Sequence, residues 1–440
     1  MQIILLQHDP VPGDFLGNAR QLADMARNAA KTLSDSEHAL CIAPLYPIAG
    51  FPTDGLRRAG GFYSRCREGA RVLADMLKDG PDILVSLTGA EVPLYMLISQ
   101  GDIHALMLDG NNIIHLPDGT GFYIPSCPNG EINPDELPAA IPESPAAILI
   151  TDPVLFQPDA QYGLEVDRAN LARHFNVPVL AVCQCGATDG CIYAGQSTVH
   201  DAGGTLLARA SAFRPDFLAA RMDEKSAISC QRMPNPLLHR KESLFRAAVL
   251  GVQDYARKCG VKGVLLGLSG GMDSALVACI AAEAMGAKNV LGVLMPSCFS
   301  TDHSVNDALS LAANLGIRTK TVPITPIMDA FATSLKEPFA VPNDLTADNM
   351  QPRIRGTLLM AFANRLGYAV LGTGNKSENA MGYCTLYGDT VGALEPIGDI
   401  YKTEVYDLAE WYNTLRGREI IPRNVFTKAP SAELHAGQVD

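Results

Sequence analysis

The sequence predicts a two-domain α/β protein, a layered α/β half followed by a doubly wound parallel sheet. Three observations predict it. Short apolar runs alternate with helix-period segments through both halves. A charged, proline-bearing stretch from Met222 to Leu238 interrupts that alternation near mid-chain. Further on, the apolar run Val264-Leu265-Leu266 enters GLSGGMDSAL (Gly267 to Leu276), a strand that ends in a glycine turn at a helix start.

In the first half, Ile3 to Gln7, Ala39 to Ala43, Ile83 to Leu87, Ala147 to Ile150 and Val179 to Val182 read as strands. Asn18 to Leu33 and Gly61 to Leu77 read as amphipathic helices, and another helix ends near Phe175. Cys191 to Val199 and Thr205 to Ala210 flank the turn Asp201-Ala202-Gly203-Gly204, a hairpin signal. These elements place a first domain at 1–225, a linker at 226–240 and a second domain at 241–440. The second domain opens with a helix from Lys241 to Lys258. Its strands are Gly263 to Leu268, Val290 to Met295, Thr319 to Ile324 and Ala369 to Thr373. Helices Ser274 to Met285, Asp302 to Leu315 and Met350 to Leu366 fill the gaps, so the sheet is parallel. Ligands in such sheets bind at the carboxyl ends of the strands, where the Gly-Gly turn and Thr373 both fall.

Composition narrows the function classes. The chain of 440 residues is 47% hydrophobic and 19% charged, an ordinary globular balance. Its net charge of −12 argues against a nucleic-acid partner. The N-terminus has no basic n-region and no apolar run approaches the length of a membrane span, so a cytoplasmic location is expected. The eleven cysteines lack zinc-ligand spacing and read as reduced, mostly buried thiols.

The glycine turn has a specific chemistry. Ser-Gly-Gly at a helix start lets backbone N–H groups converge on an anion, aided by the helix N-terminus. Glycines alone would mark an ordinary strand-to-helix turn. Ser269, Asp273 and Ser274 around Gly270 and Gly271 sharpen the reading. No lysine of the GxxxxGK[ST] kind is present, which excludes a kinase-type phosphate loop. The pattern SGGxDS resembles the pyrophosphate loop of the N-type ATP pyrophosphatases, which fold as an adenine nucleotide α-hydrolase-like sheet. They cleave ATP between its α- and β-phosphates and leave AMP on a substrate oxygen.

Three more segments extend that resemblance: DNMQPRIRGTLL (Asp348 to Leu359), GTGNKSENAMGY (Gly372 to Tyr383) and IYKTEVYDLAEW (Ile400 to Trp411). Singly, Arg353 and Arg355 read as solvated helix charges, Glu378 as a helix N-terminal charge and Lys402 as an exposed lysine. Together with ESLFRAAVLGVQDYARKCG and KAPSAEL they are similar to the synthetase domain of two-domain, glutamine-dependent NAD synthetases. The resemblance implies ATP-dependent amidation of deamido-NAD through an acyl-adenylate, with magnesium. It implies Ser269, Asp273 and Lys402 as catalytic groups. ATP would meet Gly267, Leu268, Ser269, Gly270, Gly271, Met272, Asp273, Ser274, Thr373, Lys402 and Ser431. Deamido-NAD would meet Asn349, Arg353 and Glu378, and Asp273 and Glu378 would hold Mg²⁺. A homo-oligomer built on a synthetase dimer is implied as well. In the family an acidic segment and further helices that help close the site follow the stretch matched here up to Asp440, so that closing element is not assigned to residues of this sequence.

The first half resembles the nitrilase-like amidase domain of those enzymes, an α-β-β-α sandwich. MQIILLQHDPVPGDFLGNA, PLYPIAGFPTDGL and PVLAVCQCGATDGCIYAGQSTVHDAGGTLLARASAF carry the match. The family's Glu-Lys-Cys triad does not line up. The base position falls on Leu45, no lysine precedes Ile113-Ile114-His115-Leu116-Pro117, and the nucleophile position falls on Thr151. A leucine cannot abstract a proton, and a threonine without an adjacent base is a poor nucleophile. Cys127, Cys183, Cys185 and Cys191 read as inert thiols. The expectation is a degenerate pseudo-glutaminase domain and free ammonia as nitrogen donor; a filled apolar cluster around Leu45, Ile113 and Thr151 would mean that the amidase site is gone. The alternatives are a glutamine-hydrolysing enzyme with a displaced amidase site, another SGGxDS enzyme acting on a base or tRNA, and a non-catalytic nucleotide-binding homologue.

Overall fold

The computed structural model describes residues 1–33, 39–51, 54–87, 94–125, 132, 137–141, 143–335, 345–429 and 432–435. The chain divides into two compact units, Met1–Ser243 and Leu244–Asp440.

In chain order the first unit holds β1 (Gln2–Gln7), α1 (Phe15–Ala30), β2 (Ala39–Ile42), α2 (Asp54–Arg57), α3 (Phe62–Met76), β3 (Asp82–Leu87), β4 (Leu94–Ser99) and β5 (Asp102–Leu106). It continues with β6 (Ile113–His115), β7 (Gly121–Tyr123), β8 (Ala147–Ile150), α4 (Ala160–Phe175), β9 (Val179–Ala181), β10 (Cys185–Thr188), β11 (Cys191–Ala194), β12 (Thr198–His200), β13 (Leu206–Arg209), β14 (Asp216–Met222) and β15 (Ile228–Cys230). Two large sheets form, ordered β15-β14-β1-β2-β3-β4-β5 and β13-β12-β9-β8-β7-β6, beside a two-stranded β10-β11 ribbon. Side-chain alternation assigns the layers. On β1, Ile4 and Leu6 face α1 and α3, packing with Phe15, Leu22 and Leu73. Ile3 and Leu5 face the other sheet, meeting Leu149, Leu180 and Val199. Ile148 and Ile150 of β8 turn the other way, onto Leu171 and Ala172 of α4. The result is helix, sheet, sheet, helix, the α-β-β-α sandwich expected from the sequence.

Several boundaries differ from the sequence reading. The expected strand Cys191 to Val199 is broken, because Gly195 and Gln196 both take positive φ. Its first part pairs back on β10, and its second pairs with β13 and β9. The expected linker at 226–240 is partly ordered sheet, since β15 hydrogen-bonds to β14 at Ala220↔Cys230 and Met222↔Ile228. The expectation of mostly buried thiols holds for Cys41, Cys66, Cys183, Cys185 and Cys279, but Cys259, Cys298 and Cys384 are exposed. Cys127 lies outside the described residues.

The second unit begins within α5 (Arg240–Lys258). It continues with β16 (Val264–Gly267), α6 (Met272–Met285), β17 (Val290–Leu294), α7 (Asp302–Leu315), β18 (Arg318–Thr321), α8 (Thr325–Ser334), α9 (Leu345–Leu366), β19 (Ala369–Val370), α10 (Lys376–Met381), α11 (Lys402–Arg416) and α12 (Arg423–Thr427). Its sheet, ordered β18-β17-β16-β19, is parallel throughout. Val264 and Leu266 point to α6, α7 and α11, and Leu265 points to α8 and α9. Helices on both faces make the sheet doubly wound. The chain leaves β16 in opposite directions toward β17 and β19, so the crevice at the carboxyl ends of β16 and β19 is the switch point where ligands bind.

Candidate functional site

The loop after β16 is built for a tight approach. Gly270 has φ +80°, and a Cβ there would lie 2.2 Å from the Ser304 carbonyl oxygen. Only glycine lets the chain turn against α7 at this point. The Ser269 and Ser274 hydroxyls meet at 3.0 Å. Gly271 N–H donates to Ser269 Oγ at 3.1 Å, and Ser274 Oγ donates to the Gly271 carbonyl at 3.1 Å. The loop therefore hands directly to the N-terminus of α6, whose first turn carries Asp273.

A second loop, after β19, comes alongside. Asn375 caps α10 with a full capping box: its side chain accepts from Glu378 N–H at 3.1 Å, and the Glu378 carboxylate accepts from Asn375 N–H at 3.4 Å. Asn375 also donates through Nδ2 to Asp273 Oδ1 at 3.0 Å. The Lys402 ammonium, at the first residue of α11, pairs with Asp273 Oδ2 and lies 3.6 Å from Glu378 Oε1. Burial and then the nearby Asp273 carboxylate push the Glu378 carboxyl above its usual range, outweighing the lowering effect of Lys402. Burial alone would push the Lys402 ammonium down, but Asp273 and Glu378 outweigh it and hold it above its usual value. Both carboxylates are therefore crowded around one cation.

These groups line a cavity of about 590 Å³. Gly267, Leu268, Ser269, Gly270, Gly271, Met272, Asp273, Ser274, Asn349, Thr373, Glu378 and Lys402 all border it, so the structure brings together most of the residues singled out in the sequence. Ser431 lies outside the described residues. Arg353 lies apart from these residues. It does not border the cavity, and its Nε donates instead to the Leu386 carbonyl at 3.1 Å. Arg355, two residues along α9 and hence on another face, does border it. Its Nε donates to the Met295 carbonyl at 3.2 Å, and burial lowers the guanidinium to about 10. Residues near the chain end missed by the sequence reading also border the cavity. Glu433 accepts from Ser304 Oγ at 2.6 Å and from Lys428 Nζ at 3.0 Å. The signal that could have found Asn375 is N-x-x-E, the capping-box pattern Asn375-Lys376-Ser377-Glu378.

Hard oxygen donors suit Mg²⁺. Asp273 and Glu378 supply two carboxylates already converging on a single cationic point, the Lys402 ammonium, so the residues present fit that ion.

In the first unit, the two positions expected to hold base and nucleophile do meet. Leu45 N–H donates to the Thr151 carbonyl at 2.9 Å. Thr151 is buried, its Oγ1 lies 3.4 Å from the Tyr95 hydroxyl, and burial pushes the neighbouring Asp152 carboxyl up to about 6. Ile113 does not join them. Ile113 packs on the α4 side with Ile148 and Ile150, on the opposite face of the sheet. Cys183 follows Val182, which faces the other sheet. Its thiol accordingly turns to α4, where Arg168 Nη2 donates to Sγ at 3.6 Å.

A family model described as NAD synthase matches residues 244–440. A glutamine-dependent NAD(+) synthetase of Synechocystis sp. is 49% identical over 271 residues, covering 61% of this chain and 48% of that protein. One of Thermotoga maritima is 33% identical and covers 100% of this chain and 85% of its own. The chain thus spans about half the length of several curated relatives it matches. Among solved structures, glutamine-dependent NAD+ synthetase of Acinetobacter baumannii in complex with adenosine diphosphate superposes with a TM-score of 0.85 at 27% identity, over 98% of this chain and 86% of that one. These names overturn the reading of the first unit as a pseudo-glutaminase: the Thermotoga and Acinetobacter relatives align over both units and are named glutamine-dependent. Whole-chain identity, shared two-unit architecture and the SGGMDS crevice agree, and the chain belongs to the glutamine-dependent NAD+ synthetase family.

Proposed function

We propose that the second unit amidates deamido-NAD to NAD, consuming ATP and releasing AMP and pyrophosphate. The observation that carries this reading is the single crevice in which the SGGMDS loop, Glu378 and Lys402 meet at the switch point of the sheet. A carboxylate resists attack by an amine, so its oxygen must first carry a good leaving group. In this proposal a nicotinate carboxylate oxygen attacks the ATP α-phosphorus, the α–β bond breaks, and pyrophosphate departs. Ammonia then attacks the acyl carbon, and AMP leaves with that oxygen.

Each residue has a physical task. The Ser269 and Ser274 hydroxyls and the α6 N-terminus present donors and positive potential to the departing pyrophosphate. Lys402 offsets phosphate charge. Thr373 and Asn349 border the cavity where nucleotide groups would sit. When bound by Asp273 and Glu378, Mg²⁺ would supply charge neutralisation to the phosphates. No side chain need become covalently attached, and positioning supplies the rate. The assembly expected for such enzymes, a homo-oligomer about the synthetase unit, belongs to the same proposal.

The relatives' names support glutamine, rather than free ammonia, as the nitrogen donor. Leu45 and Thr151 carry neither a base nor a thiol, so glutamine hydrolysis in this chain proceeds from a centre displaced from that pair. The test compares donors with deamido-NAD and ATP held fixed. Glutamine is expected to support NAD formation with one glutamate released per NAD. NAD formation with ammonium chloride and none with ammonia-free glutamine overturns the donor assignment while leaving the synthetase reading in place.

A further inference from the structure

Asn375, at 0% exposure, stands beside the crevice: its side-chain amide donates to the Asp273 carboxylate, and its backbone N–H reaches the Glu378 carboxylate at 3.4 Å. Its two amide ends are used differently. Oδ1 accepts the Glu378 backbone N–H and fixes the start of α10, from which the Glu378 carboxylate projects. Nδ2 donates to Asp273 Oδ1 at 3.0 Å, across to α6. The orientation is dictated by chemistry, because an N–H faces one end and a carboxylate faces the other. Asp273 Oδ2 is left to Lys402. Two carboxylates brought this close repel one another, and a cation between them relieves only one side of each. A neutral donor wedged on the opposite side holds Asp273 in place while the same residue sets the origin of Glu378.

Resting on the functional reading above, we infer that Asn375 is a positioning residue that fixes the spacing of Asp273 and Glu378 and thereby sets the affinity of the site for its divalent cation. An outer residue that orients two ligands in this way commonly controls metal affinity by about 10- to 100-fold. The capping interaction and the bridge to Asp273 can be separated. Asn375→Ser keeps an oxygen able to cap α10 but is too short to reach Asp273. Asn375→Asp keeps the cap and replaces the donor with a carboxylate that repels Asp273.

The experiment measures Mn²⁺ binding to the full chain with ATP present, by water-proton relaxation, beside the Mg²⁺ concentration for half-maximal activity and the thermal midpoint. Both variants are expected to bind Mn²⁺ about tenfold more weakly or worse. Asn375→Asp should be the weaker of the two. At saturating Mg²⁺ the KM for ATP should recover to within about twofold, and the midpoint should stay within about 3 °C because the cap survives. Unchanged Mn²⁺ affinity in both variants, against normal binding in the unaltered protein, overturns the inference alone and makes Asn375 a helix cap. Absence of Mn²⁺ binding in the unaltered protein, or Mn²⁺ binding that survives Asp273→Asn intact, overturns the functional reading and the inference together.

Discussion

Gly270→Ala is expected to lower NAD formation by about 100-fold or more, because a shift of about 1 Å in a reacting group can cost that much. The adjacent Gly271→Ala is expected to cost less than about tenfold, since its backbone is already in a region open to alanine. The two glycines differ physically. Gly270 sits at φ +80°, where an L side chain is strained, and its Cβ would fall 2.2 Å from a backbone oxygen of Ser304. Either the loop or the start of α7 must move. Gly271 has φ −90° and ψ 167°, and its nearest neighbour to a new Cβ is Ser269 Oγ at 3.2 Å. Steady-state kinetics on the pair separate a cradle that must keep its shape from a turn that merely prefers glycine. Equal losses in the two variants would mean that the close approach to Ser304 does not position the loop.

Asp273→Asn is expected to lower kcat/KM by about 1,000-fold, the scale at which a group that organises charge in a transition state is lost. Its effect on stability should be small. The Asp273–Lys402 pair has side chains 18% and 28% exposed, and such pairs contribute on the order of 1 kcal/mol or less. Asparagine also cannot satisfy both neighbours. Asn375 Nδ2–H and the Lys402 ammonium are donors, so one must face the new amide N–H₂. Denaturant titration beside the kinetics checks the split. A large loss of stability with proportionate loss of activity would make Asp273 a structural ion-pair partner instead.

Much of the second unit was legible because its elements carry strong local signals. The α7 helix matches the expected Asp302 to Leu315, with Thr301 capping it through Ser304 N–H and Gly316 ending it in the left-handed region. The SGGMDS loop was legible as a strand, a turn and a helix start. Strand Ala147 to Ile150 matched as well, being four apolar residues buried on both faces. The strands from Leu94 to Tyr123 were not legible. β6 and β7 hold three residues each, the run is broken by Gly101, Asn112 and Gly119 at positive φ, and β5 is mostly exposed. Their place comes from sheet pairing, not from periodicity.

The site was legible in outline, and local sequence left two details open. Arg353 and Arg355 differ by two positions on one helix, and local sequence does not say which face meets the crevice. The fold turned Arg355 inward and Arg353 toward Leu386. Asn375 was overlooked because a lone asparagine after a glycine reads as a turn residue. Its second contact, to Asp273, spans 102 positions of sequence and exists only after folding. In the first unit, positions 45 and 151 meet through the backbone while Ile113 faces the other side of its sheet, a difference that strand direction alone does not give.

Isotope tracing reaches the chemistry of the crevice most directly. Deamido-NAD labelled with ¹⁸O in its nicotinate carboxylate is incubated with ATP and the nitrogen donor, and the products are read by mass spectrometry. If the carboxylate attacks the α-phosphorus, one labelled oxygen leaves with AMP, and pyrophosphate carries none. Label in inorganic phosphate with ADP as co-product, or unlabelled AMP, would contradict adenylation at the SGGMDS loop.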